Sequence, residues 1–305
     1  MLNHPFAVAR RYIDAVLVAW QFLFPQHLIS RFMYWFTRIE SPAVKNRFTG
    51  WFVGRFGVDM QQALETDPHA YNSFNAFFTR ALKPAVRPIV TGGNELACPV
   101  DGAVSQIGNI VETRLFQAKG RYFSLESLLG GSRELASRFR NGRFATIYLS
   151  PKDYHRIHMP VAGDLEQMIY VPGRLFSVNP LTTRTVRNLF ARNERVICVY
   201  RTAAGPMAVV MVGAICVASI ETVWAGQVTP HRPREVASWS YEDRPVHLER
   251  GAEMGRFNMG STVVVLFGPA CVEWAAGLTA DTTVRMGQLL GTKTTDRQPA
   301  APADA

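Results

Sequence analysis

The stretch MAVVMVGAICVASIETVW, residues 207–224, decides the fold class because it is an almost unbroken run of β-branched and other apolar residues. Runs of this kind, bounded by turn-forming residues, are typical of buried strands. Shorter runs of the same character occur from residue 98 onward: AVSQIG, RFATIYLS, VICVY and STVVVLF. Helical patches, SLESLLG and ELASRF, lie between them. We therefore predict an α+β fold with a strand-rich, mainly antiparallel and barrel-like body.

The composition is that of a globular protein with a basic surface. The chain has 305 residues, 48% of them hydrophobic, and a formal net charge of +9. A charge of this size favours an anionic partner, either nucleic acid or an anionic membrane. Long Lys runs, zinc-finger spacing and the aromatic RNA-binding signature are absent from the sequence, so we predict a membrane partner and no nucleic acid.

The first 60 residues are rich in aromatic and basic side chains. In residues 6–40, FAVARRYIDAVLVAWQFLFPQHLISRFMYWFTRIE, charged residues and Pro25 interrupt the apolar pattern before it reaches the roughly 20 residues that a membrane-spanning helix needs. Two short helices lying in the lipid interface fit this composition, and WFVGRF at Trp51–Phe56 continues it. A helical subdomain packed on the protein core fits equally well.

Three separate stretches carry side chains with catalytic potential. The first, CPVDGAVSQIG at residues 98–108, contains Asp101 before a glycine, and by itself it is best interpreted as a hairpin turn. The second, LSPKDYHRIHMP at residues 149–160, contains His155 and His158. These two side chains would share a face in a helical turn and point to opposite faces in a strand. Without a third ligand at a recognisable spacing, we predict no metal site there.

The third stretch, RFNMGSTVVVLF at residues 256–267, places Gly260 and Ser261 before a β-branched run. By itself it predicts a turn that leads into a strand. Together the three stretches supply an Asp, a His and a Ser, each in a turn beside a strand. In such a set the carboxylate orients the imidazole, and the imidazole takes the proton of the serine hydroxyl.

The motifs PVDG, DYHRIHMP, PGRLFSVNP and FNMGST, in this order, resemble those of the phosphatidylserine decarboxylases, which are pyruvoyl-dependent enzymes. The resemblance runs from about residue 60 to about residue 290. The cleavage motif of that family is usually Leu-Gly-Ser-Thr, and here it is Met259-Gly260-Ser261-Thr262. Leu to Met conserves volume, so we expect the change to be tolerated.

The resemblance implies that Asp101, His158 and Ser261 form a self-processing triad. Ser261 would attack the carbonyl carbon of Gly260, and elimination and hydrolysis would leave a pyruvoyl group at position 261. The chain would then become a heterodimer of residues 1–260 and 261–305. Whether that heterodimer assembles further into a homo-oligomer is left open.

The resemblance also implies the reaction and a set of secondary residues. The pyruvoyl carbonyl would form a Schiff base with the serine amine of phosphatidylserine and accept the electrons left by CO₂, so that phosphatidylethanolamine is the product. We assign His155 to decarboxylation, as a proton donor or a contact of the substrate carboxylate. Phe176, Ser177 and Asn179 would shape the head-group pocket, although an ordinary loop between strands explains them equally well.

The predicted organisation has three parts. Residues 1–60 form a helical membrane-surface region, attached peripherally at the cytoplasmic face of the cell membrane. Residues 61–292 form the catalytic domain, cleaved between residues 260 and 261. Residues 293–305 are small, polar and Pro-containing, and we predict a disordered tail.

Two rival functions remain. A serine hydrolase acting on lipid esters could use the same three side chains, but the sequence lacks a GxSxG elbow, and Ser261 precedes a strand. A non-catalytic membrane-binding protein would account for the basic charge and the aromatic N-terminal region alone.

Overall fold

A computed structural model describes residues 18–19, 21–118, 120–216, 219–230, 234–259 and 262–294. Strands make up most of the chain after residue 94. They are β1 Glu95–Ala97, β2 Gly102–Asn109, β3 Arg114–Ala118, β4 Arg121–Ser124, β5 Arg143–Tyr148, β6 Arg156–His158, β7 Gly163–Val171, β8 Arg195–Thr202, β9 Gly205–Val212, β10 Ser219–Thr222, β11 Gly226–Gln227, β12 Ala237–Ser240, β13 His247–Leu248, β14 Glu253–Asn258, β15 Thr262–Phe267, β16 Val272–Trp274, β17 Thr283–Val284 and β18 Leu289–Lys293.

Among the described residues the helices are fewer than the strands. They are α1 Gln26–Phe36, α2 Pro42–Phe56, α3 Phe74–Phe78, α4 Leu125–Leu128, α5 Arg133–Ser137, α6 Pro180–Thr185 and α7 Leu189–Arg192, with 3₁₀ turns at Met60–Gln62 and Pro84–Val86. Residues 18–19 and 21–23 are also helical. Proline at the first position of α2 suits a helix start, and Gly57, with φ of 66°, ends that helix in the left-handed conformation.

A nine-stranded sheet forms the centre of the molecule. Its order is β12-β7-β8-β9-β15-β5-β2-β17, with β13 also paired to β7, and the pairs are antiparallel. Successive residues of the central strand β15 point into two different cores: Val263 and Val265 into one, and Val264 and Leu266 into the other. Burial on both faces explains why these strands are continuously apolar.

Smaller sheets cover both faces of this central sheet: the four-stranded and three-stranded sheets contribute to the core on one face, and β3 and β4 contribute to the core on the other. The order of the four-stranded sheet is β11-β10-β14-β6, that of the three-stranded sheet is β1-β18-β16, and β3 pairs with β4. The residues 207–224 therefore supply two strands, β9 in the central sheet and β10 in the four-stranded sheet. The prediction of a strand-rich, mainly antiparallel α+β body is confirmed.

The predicted barrel-like closure is wrong for the described part of the chain. The path of the central sheet runs from β12 to β17, and these two end strands are not paired with each other there. The physical reason is that other elements bury both faces of the sheet, so neither face becomes the interior of a closed cylinder.

The N-terminal helical region is present from residue 18, and residues 1–17 lie outside the described residues. Helix α2 packs on α3 through a cluster that contains Phe52, Phe74, Phe77 and Phe78. Part of the aromatic segment is therefore protein core. Within the residues that the structure describes, no helix combines the length and apolar character needed to cross a bilayer.

The last described strand reaches into the segment predicted as a tail. Lys293 closes β18, and the Thr294 N–H donates to the Cys271 carbonyl at 3.0 Å. Residues 295–305 lie outside the described residues.

Candidate active site

The three stretches singled out in the sequence meet at one place in the fold. The His158 N–H donates to the Pro99 carbonyl at 2.9 Å, which joins the second stretch to the first. The Phe257 N–H donates to the His155 carbonyl at 3.0 Å, which joins the third stretch to the second. Gly260 and Ser261 themselves lie outside the described residues, between the end of β14 and the start of β15.

Asp101 is held as one half of a buried ion pair. Its carboxylate accepts from Arg87 Nε at 2.9 Å and from the Met286 N–H at 2.8 Å, and Arg87 Nη2 binds the second oxygen. The two side chains are only 8% and 9% exposed. The hydrogen bond to Asp101 raises the pKa of Arg87 above its ordinary value. Asp101 is therefore a fixed negative charge whose main partner is Arg87.

The Asp-Gly dipeptide is needed for close packing of strands and does not form a hairpin turn. Gly102 begins β2, and a Cβ at this position would lie 2.3 Å from the Tyr148 carbonyl oxygen on β5. Only glycine permits that approach. The close contact of β2 with β5 thereby fixes where the preceding carboxylate lies.

His158 is a buried imidazole with a defined tautomer. Its Nδ1 lies 2.8 Å from the Gly251 carbonyl, which can only accept, so Nδ1 carries the hydrogen. Nε2 consequently has a free lone pair, and it accepts from the Tyr154 hydroxyl at 3.1 Å. Burial lowers the pKa of His158 below 6.5. The ring is thus a neutral base whose basic nitrogen faces Tyr154.

The structure changes the expected relation between Asp101 and His158. Among the described residues, no hydrogen bond or ion pair joins the two side chains, because Arg87 and Met286 occupy the carboxylate and Gly251 orients the imidazole. Asp101 acts on His158 through its charge, which raises the pKa of the imidazole against the larger effect of burial. The carboxylate and the imidazole are therefore neighbours without direct contact.

His155 lies on the other side of this region, fully buried. Its ring stacks on Phe78 with 4.1 Å between ring centroids, and its Nε2 donates to the Ser150 carbonyl at 3.1 Å. Burial, and next the positive charge of Arg80, lower the pKa of His155 to about 3. Nδ1 has no hydrogen-bond partner in the described part of the chain. His155 is thus neutral, and it must take up a proton at Nδ1 before it can donate one.

The link that contains residues 260 and 261 is held firmly at both ends. Asn258 Nδ2 donates to Ser219 Oγ and to Glu221 Oε1, both at 2.6 Å. Met259 follows with φ of 98°, a conformation that costs energy in a residue other than glycine. Thr262 then enters the central sheet opposite Tyr148 and Val212. Strain is therefore concentrated directly before the Gly260-Ser261 bond.

A small apolar cavity of about 220 Å³ adjoins this link. Met259, Ser177 and Cys216 line it together with aromatic side chains of α2 and α3, among them Phe52, Phe56 and Phe78. Next to the link, Thr262 Oγ1 is buried and lacks a hydrogen-bond partner among the described residues. An apolar wall and an unpaired hydroxyl are suitable surroundings for a small carbonyl group at position 261.

The three loop residues predicted for the head-group pocket have different places. Ser177 lines the cavity. Phe176 is fully buried and packs on Phe22 with 4.7 Å between ring centroids. Asn179 caps α6, since its Oδ1 accepts from the Thr182 N–H at 3.0 Å. Only Ser177 of the three lines the cavity next to Met259.

Comparison with known proteins gives a consistent result. The family model described as phosphatidylserine decarboxylase matches residues 74–292, and a second model, PSD, matches residues 16–57. The chain belongs to the phosphatidylserine decarboxylase family. The phosphatidylserine decarboxylase proenzyme of Methylococcus capsulatus is 56% identical to it over 271 residues, which are 89% of this chain and 94% of that protein. The proenzymes of Pseudomonas putida and Bordetella pertussis are each 57% identical, covering 88% and 91% of this chain and 95% and 94% of their own lengths.

The phosphatidylserine decarboxylase match includes residues that the sequence motifs did not single out. Arg87 and Tyr154 contact Asp101 and His158 directly. Arg87 stands in an unremarkable loop, and no local pattern marks it as the partner of a distant carboxylate. Tyr154 lies inside the motif DYHRIHMP, and its closeness to His158 in sequence is the signal that could have identified it as a partner of the imidazole. The family prediction made from the motifs is confirmed, while the roles of single residues stay predictions.

Proposed function

We propose that the chain converts phosphatidylserine to phosphatidylethanolamine and CO₂ with a pyruvoyl group that it makes from Ser261. Family membership and the word proenzyme in the names of its relatives support this function. The observation that carries the residue assignment is the meeting of Asp101, His158 and the strained link at Met259 in one region of the fold.

Self-processing begins with proton removal from the Ser261 hydroxyl. His158 is suited to accept it, because burial keeps the ring neutral and Gly251 fixes the lone pair on Nε2. The Tyr154 hydroxyl donates a hydrogen bond to this nitrogen. Burial raises the pKa of the Tyr154 phenol to about 12, so the phenol keeps its proton at neutral pH. Tyr154 can therefore give its own proton to Nε2 and take the proton of the serine hydroxyl in its place, which leaves the phenol unchanged.

The bond changes balance with one water molecule. The Ser261 oxygen bonds to the carbonyl carbon of Gly260 as the Gly260–Ser261 C–N bond breaks, which converts the amide to an ester. Elimination of the ester leaves the Gly260 carboxylate and a dehydroalanine at position 261, and hydrolysis gives pyruvoyl and ammonia. Gly260 lacks a Cβ that would block the attack, and the strain at Met259 is relieved when the chain is cut.

The pyruvoyl group, once present, supplies a carbonyl that serves as the electron sink for decarboxylation. The chain supplies the surroundings. Phe52, Phe56 and Phe78 form an apolar wall that excludes water from the departing CO₂. His155 has an unpaired Nδ1 beside this wall, and because burial keeps the ring neutral, this nitrogen can accept a hydrogen bond or a proton from the substrate. Among the described residues that line the cavity, Ser177 is the loop residue whose hydroxyl can contact the head group.

The two products of self-cleavage are expected to stay together as a heterodimer. Strand β15, which belongs to the 261–305 chain, lies between β5 and β9 and pairs with each over six residues. Its side chains Val263, Val264 and Leu266 are fully buried. Separation would expose both faces of this strand to water, so the central sheet holds the small chain in place.

The exposed surface of the N-terminal helices supports peripheral attachment to an anionic membrane. Eight of the fourteen exposed large hydrophobic side chains among the described residues fall within residues 22–51: Phe22, Leu23, Phe24, Leu28, Phe32, Trp35, Val44 and Trp51. Exposed aromatics on short helices, in a chain of net charge +9, suit an anionic lipid interface. The same helix α2 that carries Trp51 also lines the apolar cavity, so a lipid head group could reach the cavity from this surface. The four free cysteines agree with the cytoplasmic face.

The test is turnover of phosphatidylserine in vesicles with the full chain, its Ser261→Ala variant and a matched Ser238→Ala variant on the edge strand β12. We expect CO₂ and phosphatidylethanolamine from the wild-type and Ser238→Ala proteins and none from Ser261→Ala, while all three bind the vesicles. Release of fatty acid in place of CO₂ would support a lipid hydrolase. Vesicle binding without either product would support a non-catalytic membrane protein.

A further inference from the structure

A second cavity, of about 550 Å³, lies beside the four-stranded sheet and shares none of its lining residues with the apolar cavity. Three arginines line it, Arg80, Arg156 and Arg256, together with Tyr71, Thr79 and Glu65. We call it the basic cavity. None of these residues belongs to the site assigned to processing or decarboxylation.

Arg80 is the unusual member of the basic cavity. The residue is only 4% exposed, and its Nη2 donates to the Lys152 carbonyl at 3.0 Å. Nε and Nη1 are buried and have no acceptor among the described residues, and no carboxylate there is close enough to form an ion pair with Arg80. A guanidinium keeps its charge even when burial lowers its pKa, as it does here. A buried cation with unused donors is costly until an anion pairs with it.

Arg156 and Arg256 extend the positive charge toward solvent. Both pair with one carboxylate, Glu253, at 2.9 Å and 2.7 Å. The second carboxylate nearby, Glu65, is exposed and accepts from the Asp67 N–H. Three guanidinium groups thus face two carboxylates in and beside the cavity lining. Asp101 and Asp153 attract Arg80 from further away without forming an ion pair with it, so Arg80, at the buried end, is the arginine without a direct carboxylate partner among the described residues.

We propose that the basic cavity binds a phosphate group. Several planar guanidinium donors arranged around one space match a tetrahedral anion with several acceptor oxygens, and a single carboxylate would leave part of them unused. The cavity is larger than a phosphate ion, so a phosphate ester fits as well. The ligand is either free phosphate or the phosphodiester of a lipid head group, which present the same phosphoryl oxygens.

The experiment is a titration of the self-processed full-length protein with inorganic phosphate in a phosphate-free chloride buffer, followed by calorimetry and by ³¹P line width. We expect saturable binding of one phosphate per chain. Arg80→Lys removes the planar donors of the guanidinium. Arg256→Gln removes a positive charge and leaves the hydrogen bond from Arg80 to the Lys152 carbonyl in place. One variant therefore remains informative if the other is unstable. Each is expected to weaken binding about tenfold or more.

The matched control is Arg133→Gln, which removes an arginine whose side chain is 88% exposed and pairs with Glu126; neither residue lines the cavity. It should bind phosphate as the wild-type protein does. Competition by soluble glycerophosphoserine would identify a lipid phosphodiester as the ligand, and failure to compete would identify free phosphate. Binding that does not saturate, or equal affinity in the Arg256→Gln and Arg133→Gln proteins, would overturn the proposal. The titration needs no turnover, so it is independent of the proposed decarboxylation.

Discussion

Replacing Arg87 by Met is expected to destabilise the protein by leaving a charge buried and largely unpaired. The substitution keeps an unbranched apolar stem but removes the guanidinium that holds Asp101. Of its partners among the described residues, the Asp101 carboxylate, with a side chain 9% exposed, then retains only the Met286 N–H. We make the change in a Ser261→Ala background, so that the chain stays in one piece and a single unfolding transition can be analysed.

The expected magnitude follows from burial. Breaking a buried pair by removing one partner costs about 3–5 kcal/mol, and we take about 3 kcal/mol because one backbone donor remains. Unfolding entropy is about 2.1 cal/mol/K per residue, which for this chain amounts to about 0.6 kcal/mol/K. The melting temperature should therefore fall by about 5 °C.

The assay is thermal and urea unfolding of three proteins in the same background. Arg133→Met, which breaks an exposed ion pair, is the control and should shift the melting temperature by about 1 °C or less. Adding Asp101→Asn to Arg87→Met removes the stranded charge and should recover most of the lost stability. If Arg87→Met melts together with Arg133→Met, the ion pair is not buried in solution, and the reasoning about Asp101 fails.

Three further predictions concern acid stability, the base and the membrane surface. Burial lowers the pKa of His155 to about 3, so below pH 6.5 the unfolded chain binds a proton that the folded chain does not, and stability falls as the pH drops toward 3. His155→Phe, which can still stack on Phe78, should flatten this slope in unfolding curves; equal slopes would show that His155 is not buried as a neutral ring. Tyr154→Phe removes both the proton relay and the donor to His158 Nε2, so self-cleavage should slow and the acid limb of its rate should move to higher pH; an unchanged rate and pH profile would exclude that hydrogen bond. Trp35→Ser should weaken binding to anionic vesicles about fivefold by removing roughly 1 kcal/mol of apolar burial, whereas Val111→Ser, at a similarly exposed site, should not; equal effects would place the membrane surface elsewhere.

The strands were predictable because their composition reflects local burial. In β15 every residue is buried, alternating between two cores, so the sequence must be apolar throughout, and a continuous β-branched run is its signature. Pairing between strands is a long-range property. Nothing in STVVVLF indicates that its neighbours are β5 and β9 or that the sheet stays open, and the barrel-like prediction was wrong for that reason.

The site residues that could be predicted from the sequence are those that lie in a short motif and carry the chemistry on their own side chains. The stretches containing Asp101 and His158 do lie together, and the motifs identified the family. The groups that hold and orient these side chains do not form a recognisable sequence motif. Gly251 contributes only a backbone carbonyl, which any residue could supply, and Arg87 reaches Asp101 from a loop without a motif. Asp101 and His158 make no direct contact in the described part of the chain, because these unpredicted groups occupy their polar atoms.

The most direct test of self-processing at Gly260-Ser261 is the intact mass spectrum of the purified protein. Two chains are predicted, residues 1–260 and residues 261–305, with the smaller chain lighter than its unmodified sequence by one molecule of ammonia. In the Ser261→Ala protein one uncut chain should remain. A single full-length chain with undiminished decarboxylase activity, or a small chain that keeps an N-terminal serine amine, would contradict the mechanism.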